Sequence, residues 1–155
     1  MVEIIQAKTD GEIEAAREIF REYEAWLGLD LCFQGFEEEL KNLPGKYAPP
    51  TGRLYLAQDG TEIAGCIALR ELEPGICEMK RLFVRERFRG MHLGKLLIEK
   101  LISDAQEIGY KRMRLDTFPP KMGKAVRLYE SYGFHEIPAY YENPNADVLF
   151  MEVIF

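Results

Sequence analysis

Glycines and basic residues cluster around position 90 in a pattern that favours the binding of an anion. The stretch 80–95 reads Lys-Arg-Leu-Phe-Val-Arg-Glu-Arg-Phe-Arg-Gly-Met-His-Leu-Gly-Lys, which is typical of a strand, a short basic connection and the start of a helix. The first turn of a helix carries unpaired N–H groups, and the helix dipole attracts phosphate to them. Gly90 and Gly94 permit unusual dihedrals and the close approach of a ligand. The pattern predicts a phosphate site, and a turn that is merely shaped by glycine is the alternative.

The charge distribution supports a local anionic ligand. The chain has a net charge of −6, yet residues 78–100 hold seven basic side chains against three acidic ones. Residues 1–40 hold three basic side chains against eleven acidic ones. A basic island in an acidic chain fits a small phosphorylated ligand, whereas nucleic acid usually requires a wider basic surface. We therefore expect no nucleic-acid partner.

A second segment, residues 125–134, combines a helical repeat with a tyrosine suited to proton donation. Ala125, Leu128, Tyr129 and Tyr132 follow one another at three- and four-residue steps, which places them on related faces of a helix. A tyrosine ring can pack in a core while its hydroxyl reaches a polar partner. By residue type alone, Tyr129 is a core aromatic.

These two segments resemble the signatures of the GNAT superfamily of acetyl-CoA-dependent N-acetyltransferases. Its loop of the form Arg/Gln-x-x-Gly-x-Gly/Ala is matched by Arg89, His92 and Gly94, and its A-x-x-L-Y-x-x-x-G-F block by residues 125–134. His92 replaces the first signature glycine, and Met122 stands where family members often carry asparagine.

The resemblance implies acetyl-CoA as cosubstrate. Amides of residues 90–95 would hold the pyrophosphate of CoA, and the edge of the preceding strand would pair with the pantetheine arm. The predicted cofactor-binding residues are Leu82, Phe83, Val84, Arg89, Gly90, Met91, His92, Leu93, Gly94 and Lys95.

Acyl transfer to an amine needs a base, a donor for the oxyanion and an acid for the departing thiolate. The resemblance implies that Glu78 acts as the base, directly or through water; a surface glutamate paired with a neighbouring Lys or Arg is the alternative. It also places Tyr129 near the thioester sulfur as the acid. Backbone amides of the strand would serve the oxyanion.

Periodicity predicts the elements that must position these residues. The predicted strands are Val2–Ala7, Arg53–Gln58, Ile63–Glu71, Ile76–Val84, Arg112–Thr117, Phe134–Ile137 and Val148–Phe155. The first predicted helix begins at a cap on Asp10, and the second spans Phe36–Leu43. The third begins after Gly90 and ends at Gly109, and the fourth begins at Pro119 and ends at Gly133.

The order β-α-α-β-β-β-α-β-α-β-β predicts one domain over residues 1–155. The fourth strand, the helix after it and the fifth strand form a β-α-β unit. Because both strands of such a unit belong to one sheet, we expect them to run parallel. We expect an α/β fold of the α+β type, the GNAT fold: a mixed, mostly antiparallel, twisted sheet with helices on both faces and a β-α-β unit that binds CoA.

Composition excludes several other classes. Hydrophobic residues make up 47% and charged residues 30% of the chain, which is typical of a globular protein, and no leader or membrane-spanning segment is expected. Cys32, Cys66 and Cys77 are odd in number and lack metal-ligand spacing, so we expect free thiols, cytoplasmic location and no metal.

We therefore expect an N-acetyltransferase that moves an acetyl group from acetyl-CoA to a primary amine in a ternary complex. The alternatives are a non-catalytic CoA-binding module and an anion-binding protein unrelated to CoA. The acidic N-terminal region and the Pro-rich loop favour a cationic acceptor, unless that face is only solvated. Four acceptor classes stay open: polyamine, amino sugar, amino acid and protein N-terminus. The oligomeric state also stays open, with a homodimer as one alternative.

Overall fold

The computed structural model describes residues 2–31 and 35–155. The strands in these ranges are β1 (Val2–Gln6), β2 (Arg53–Asp59), β3 (Glu62–Glu73), β4 (Ile76–Val84), β5 (Arg112–Thr117), β6 (His135–Ile137) and β7 (Leu149–Ile154). The helices are α1 (Asp10–Leu27), α2 (Phe36–Lys41), α3 (Leu93–Ile108) and α4 (Pro119–Ser131), with short 3-10 helices at Gly45–Tyr47 and Glu86–Phe88. The element order predicted from the sequence is confirmed, with shifts at several ends.

The strands form one mixed sheet in the order β1-β2-β3-β4-β5-β7-β6. Only the β4–β5 pair is parallel among the described strands, as the β-α-β pattern predicts. Their ladder joins Ile76–Glu78 to Arg112–Arg114, although β4 continues to Val84 and β5 to Thr117. The unpaired remainder of the two strands borders the openings described below.

The sheet is covered on both faces by helices. On one face α3 and α4 close a core in which the predicted apolar stripe of α3 is buried; its members are Leu93, Leu97, Leu101 and Ala105. On the other face α1 and α2 close a second core around Phe20, Phe36 and Leu40. Cys77 lies in the first core and Cys66 in the second, both as free thiols, whereas Cys32 lies outside the described residues.

A β-bulge interrupts β4 at Arg81, whose φ is 61°. Its pairing with β3 shifts between Cys66 and Ala68, so that Met79 and Leu82 both face the α3 core. The Arg81 side chain is buried, donates to both carboxylate oxygens of Glu39 on α2 at 2.9 and 2.8 Å, and lies 5.2 Å from the ring centroid of Phe36. The bulge is therefore fixed to α2.

One predicted cap is wrong. The N-cap of α1 is Thr9 rather than Asp10, because the Thr9 hydroxyl accepts from the Glu12 amide while the Glu12 carboxylate accepts from the Thr9 amide. Asp10 is instead the first residue of the helix. The C-cap of α3 is Gly109, in the left-handed conformation, as predicted.

Within residues 2–31 and 35–155 we find no helix both long enough and apolar enough to cross a bilayer.

Candidate active site

A cavity of about 750 Å³ lies between the end of β4, the start of α3 and α4, and is called the α3–α4 cavity here. Nine of the ten residues predicted to bind the cofactor line it; Met91 does not, and its side chain is 47% exposed. The opposite wall belongs to Pro119–Ala125, Arg127 and Leu128 of α4. Sequence reasoning missed most of this wall, since its residues carry no recognisable anion-binding pattern.

The loop before α3 has the backbone geometry of an anion site. His92 is the N-cap of α3 with φ 60° and ψ 24°, and no side chain in the described part of the chain caps this helix. Its first amides are therefore available to a ligand. A Cβ built on Gly94 would meet nothing within 4 Å, so the space before these amides is open. Basic residues complete the lining: Arg89, Lys95, Lys121, Lys124 and Arg127.

Trp26 of α1, the only tryptophan of the chain, reaches into the α3–α4 cavity. Its ring lies 5.5 Å from that of Phe83, with Arg89 at 5.0 Å and Lys121 at 5.9 Å from its centroid. These contacts place an aromatic wall beside two cations. The sequence placed Trp26 on a helix but gave no signal that it faces this cavity.

A small opening between β4 and β5, which we call the central gap, lies next to the α3–α4 cavity. Its lining consists of Tyr23, Met79, Lys80, Arg81, Leu82, Asp116, Met122 and Tyr129. Leu82 and Met122 also line the α3–α4 cavity, and α4 departs from helical geometry at Met122. The central gap therefore adjoins the predicted cofactor site.

Tyr129 of α4 is buried and lines the central gap. It is 3% exposed, and its ring lies 5.7 Å from that of Phe134. Burial raises the pKa of Tyr129 well above its ordinary value. The phenol is therefore protonated at neutral pH and can serve as a hydrogen-bond donor in the central gap.

A second cavity of about 500 Å³, the polar pocket, lies on the α2 side of the sheet. Its lining is Gly35, Glu38, Glu39, Asn42, Pro44–Tyr47, Arg70, Leu72, Glu78, Lys80, Tyr140 and Tyr141. Lys80 lines both the polar pocket and the central gap. The central gap therefore adjoins the polar pocket on one side and the α3–α4 cavity on the other.

Glu78 lies in the wall of the polar pocket and is 1% exposed. Its carboxylate accepts from Arg70 Nε at 2.8 Å and from the Tyr140 hydroxyl at 2.6 Å, and lies 3.7 Å from Lys80 Nζ. Burial alone would raise the pKa of Glu78, but the charges of Lys80 and Arg70 outweigh it and lower that pKa below its ordinary value. Glu78 is a buried, ionised carboxylate, not a surface residue.

Asp116 links the polar pocket to the central gap. The hydroxyl of Tyr141, which lines the polar pocket, donates to the Asp116 carboxylate at 2.5 Å, and Asp116 lines the central gap. Asp116 falls within the predicted strand Arg112–Thr117, which alone gives it no role in the site. Its proximity to Tyr141 depends on folding of a segment 25 residues further on, which no local pattern reveals.

Among the residues that the structure describes, no three His, Cys, Asp or Glu side chains are grouped so as to hold a metal ion.

Comparison with known proteins identifies the family. A family model described as the Acetyltransferase (GNAT) family matches residues 13–134. The chain belongs to the GNAT family of acetyltransferases. An uncharacterized N-acetyltransferase of Schizosaccharomyces pombe is 39% identical, over 98% of this chain and 94% of its own length. Another, from Dictyostelium discoideum, is 33% identical over 99% of this chain and 98% of its own length.

Solved structures of GNAT proteins share the fold. A GNAT acetyltransferase from Staphylococcus aureus superposes with a TM-score of 0.79 at 24% identity, covering 98% of each chain. A GNAT acetyltransferase from Elizabethkingia anophelis, solved with acetyl-CoA bound, superposes with a TM-score of 0.57 at 27% identity, over 68% of this chain and 77% of its own. The predicted GNAT fold and acyltransferase class are confirmed.

We expect replacement of His92 by glycine to preserve or tighten acetyl-CoA binding. The left-handed conformation of His92 costs a non-glycine residue roughly 1–2 kcal/mol, and glycine adopts it freely. Calorimetric titration with acetyl-CoA measures the effect, and His92→Ala is the control because it removes the imidazole but keeps the backbone strain. A large loss of affinity in both variants would show that His92 contacts the phosphates.

Proposed function

We propose that this GNAT acyltransferase moves an acetyl group from acetyl-CoA to a primary amine by direct attack in a ternary complex. The observation that carries the proposal is that two cavities border the same small gap between β4 and β5, which shares Leu82 and Met122 with the α3–α4 cavity and Lys80 with the polar pocket. Two substrates bound in these cavities would approach each other at the gap. Such proximity replaces a bimolecular step by one within the complex.

The α3–α4 cavity fits acetyl-CoA. Uncapped amides at the start of α3, open space in front of Gly94 and a lining of five basic side chains suit its phosphates. The predicted cofactor role of Leu82–Val84, residues 89–95 and the edge of β4 therefore stays a proposal with support from the shape and charge of the cavity. The bound thioester supplies the acetyl carbonyl.

Each protein group has one task in the proposed reaction. Glu78 removes a proton from the acceptor ammonium, directly or through water, so that the neutral nitrogen attacks the carbonyl carbon. Backbone amides near the bulge of β4 donate to the oxyanion. Tyr129 gives its proton to the sulfur as the carbon–sulfur bond breaks, and the excess proton on the attacking nitrogen passes to the phenolate, so that the products are an amide and CoA thiol and Tyr129 is again protonated.

Direct attack, without an acyl-enzyme, is supported by the burial of the two cysteines that the structure describes. Burial raises the pKa of Cys77 to about 12 and that of Cys66 still further. A thiol must ionise to act as a nucleophile, so neither is suited to carry an acyl group at neutral pH.

Glu78→Gln should slow turnover most near neutral pH. The lowered pKa of Glu78 means that the wild-type base is ionised throughout the range above about 4.5. In the variant the amine must lose its proton to solvent, so the rate should rise with pH towards the amine pKa of about 10. The measurement is kcat/KM against pH for both proteins. A variant profile parallel to that of wild type would remove Glu78 from the mechanism.

The function is tested by measuring thiol release from acetyl-CoA with a broad panel of primary amines, followed by mass spectrometry of the products. We expect at least one acetylated amine and stoichiometric CoA. If acetyl-CoA binds and no amine releases CoA, the alternative of a non-catalytic CoA-binding module replaces the proposal.

A further inference from the structure

The polar pocket contains basic groups that its internal pairs use only in part. Three acidic and three basic side chains line it: Glu38, Glu39, Glu78, Lys46, Arg70 and Lys80. Glu39 is already neutralised by the buried guanidinium of Arg81, which binds both its oxygens from behind the pocket wall. Lys80 is compensated by Asp116 as well as by Glu78, whereas Arg70 and Lys46 keep donors for a ligand. These donors suit a ligand that brings a negative charge.

Arg70 retains donors for such a ligand. Its Nε donates to Glu78, while its two terminal nitrogens have no hydrogen-bond acceptor in residues 2–31 and 35–155. The Arg70 side chain is 23% exposed, so these N–H groups are partly withdrawn from water. Lys46, on the exposed rim, has no carboxylate within ion-pair distance among the described residues. A planar guanidinium with unused N–H groups matches a carboxylate.

The register of the sheet sets the direction of the ligand. Arg70 lies opposite Glu78 in the β3–β4 ladder, and Lys80 lies two residues nearer the bulge and lines the central gap. A negative group at Arg70 would therefore lie on the outer side of Glu78. The amine of the same molecule would lie inward, between Glu78 and the gap.

We propose that the acceptor is an amine that carries a carboxylate, an amino-acid-type substrate whose acid group binds the terminal nitrogens of Arg70 and is attracted by Lys46. This inference rests on the proposed acetyl transfer and specifies its second substrate. A diamine of similar length would instead place its second ammonium beside Arg70 and Lys46, where like charges repel.

Matched acceptors that differ only in the acid group test this proposal. γ-Aminobutyrate and β-alanine are compared with their primary amides, and putrescine represents the dications. With kcat/KM expressed per neutral amine, the acids should exceed their amides roughly 10- to 100-fold, mainly through KM, as expected for a charge-assisted hydrogen-bond pair. Equal use of acid and amide, preference for putrescine, or turnover confined to peptide N-termini would overturn the proposal while leaving acetyl transfer intact. Absence of turnover with every amine would instead contradict the proposed function.

Substitution of Arg70 locates the acid group. Arg70→Gln should reduce the acid-to-amide ratio to about 1, and Arg70→Lys should restore part of it. The ratio is informative because any effect of the substitution on Glu78 as a base applies equally to both acceptors. Arg112→Gln is the matched control, since Arg112 pairs with Glu152 outside the polar pocket. An unchanged ratio in a folded Arg70→Gln enzyme would refute the assignment.

Discussion

Turnover should fall roughly 10- to 1,000-fold when Tyr129 is replaced by phenylalanine, with little change in acetyl-CoA affinity. This range corresponds to about 1.4–4 kcal/mol of transition-state stabilisation. Tyr129 lines the central gap, and its raised pKa keeps the phenol protonated, so that it can donate a hydrogen bond to the departing sulfur. Phenylalanine retains the ring contact with Phe134, so the packing of α4 should be nearly intact. Single-turnover acetyl transfer measures the chemical step.

Tyr132→Phe is the matched control for this experiment. Tyr132 follows on the C-terminal side of the same helix, but its hydroxyl donates to Glu99 at 2.7 Å and does not line the central gap. It should turn over at close to the wild-type rate. If Tyr129→Phe also turns over at the wild-type rate, and the chemical step limits that rate, Tyr129 is a core aromatic and the acid is another group.

Gly94→Asp should weaken acetyl-CoA binding about 100-fold or more. The new carboxylate would occupy the open space before the first amides of α3, where the pyrophosphate is expected, and like charges about 4 Å apart near a protein surface repel by up to ~4 kcal/mol. An acidic residue in the first turn interacts favourably with the helix dipole, so the free protein should stay folded. Quenching of Trp26 fluorescence, or calorimetry, measures the affinity.

Gly94→Ala separates charge from bulk in this experiment. A Cβ at this position meets no neighbour, and alanine favours a helix, so the variant should be at least as stable as wild type. We expect it to bind acetyl-CoA far better than the aspartate variant. Equal affinity of wild type and Gly94→Asp would place the pyrophosphate elsewhere.

The sequence was sufficient for the framework because its local signals agree with the global fold. Alternation over Ile76–Val84, the apolar stripe of α3 and Gly109 at its end each predict their element correctly. Helix ends were less certain. Thr9 and Asp10 are both good capping residues, and the choice depends on the reach of Glu12, a difference of one residue that type alone does not decide.

The site was only half predictable, for a physical reason. The α3 loop is one continuous segment, so its glycines and bases reveal it. The polar pocket is assembled from α2, β3, β4 and the segment around Tyr140, and its key contact joins Arg81 to Glu39 across 42 residues. Such long-range pairs leave no mark in a local window. The bulge at Arg81 was missed for the same reason.

The composition of the acidic N-terminal region does not show how many of its charges are paired. Its surplus of carboxylates favoured a cationic acceptor, but several of these acids are paired by arginines: Glu14 by Arg17, Glu22 by Arg85, Glu37 by Arg21 and Glu39 by Arg81. Acids that are already paired attract a cation less strongly. In the polar pocket, what matters are the donors that the internal pairs leave unused, the terminal nitrogens of Arg70 among them.

The ion pair between Arg81 and Glu39 also determines how the enzyme meets its acceptor. Removal of the Glu39 carboxylate would leave Arg81 charged and uncompensated in the interior, at a cost of about 3–5 kcal/mol. The pair therefore ties α2 firmly to the bulge of β4. An acceptor of the proposed reaction would meet pocket walls that are already in place rather than a closing lid.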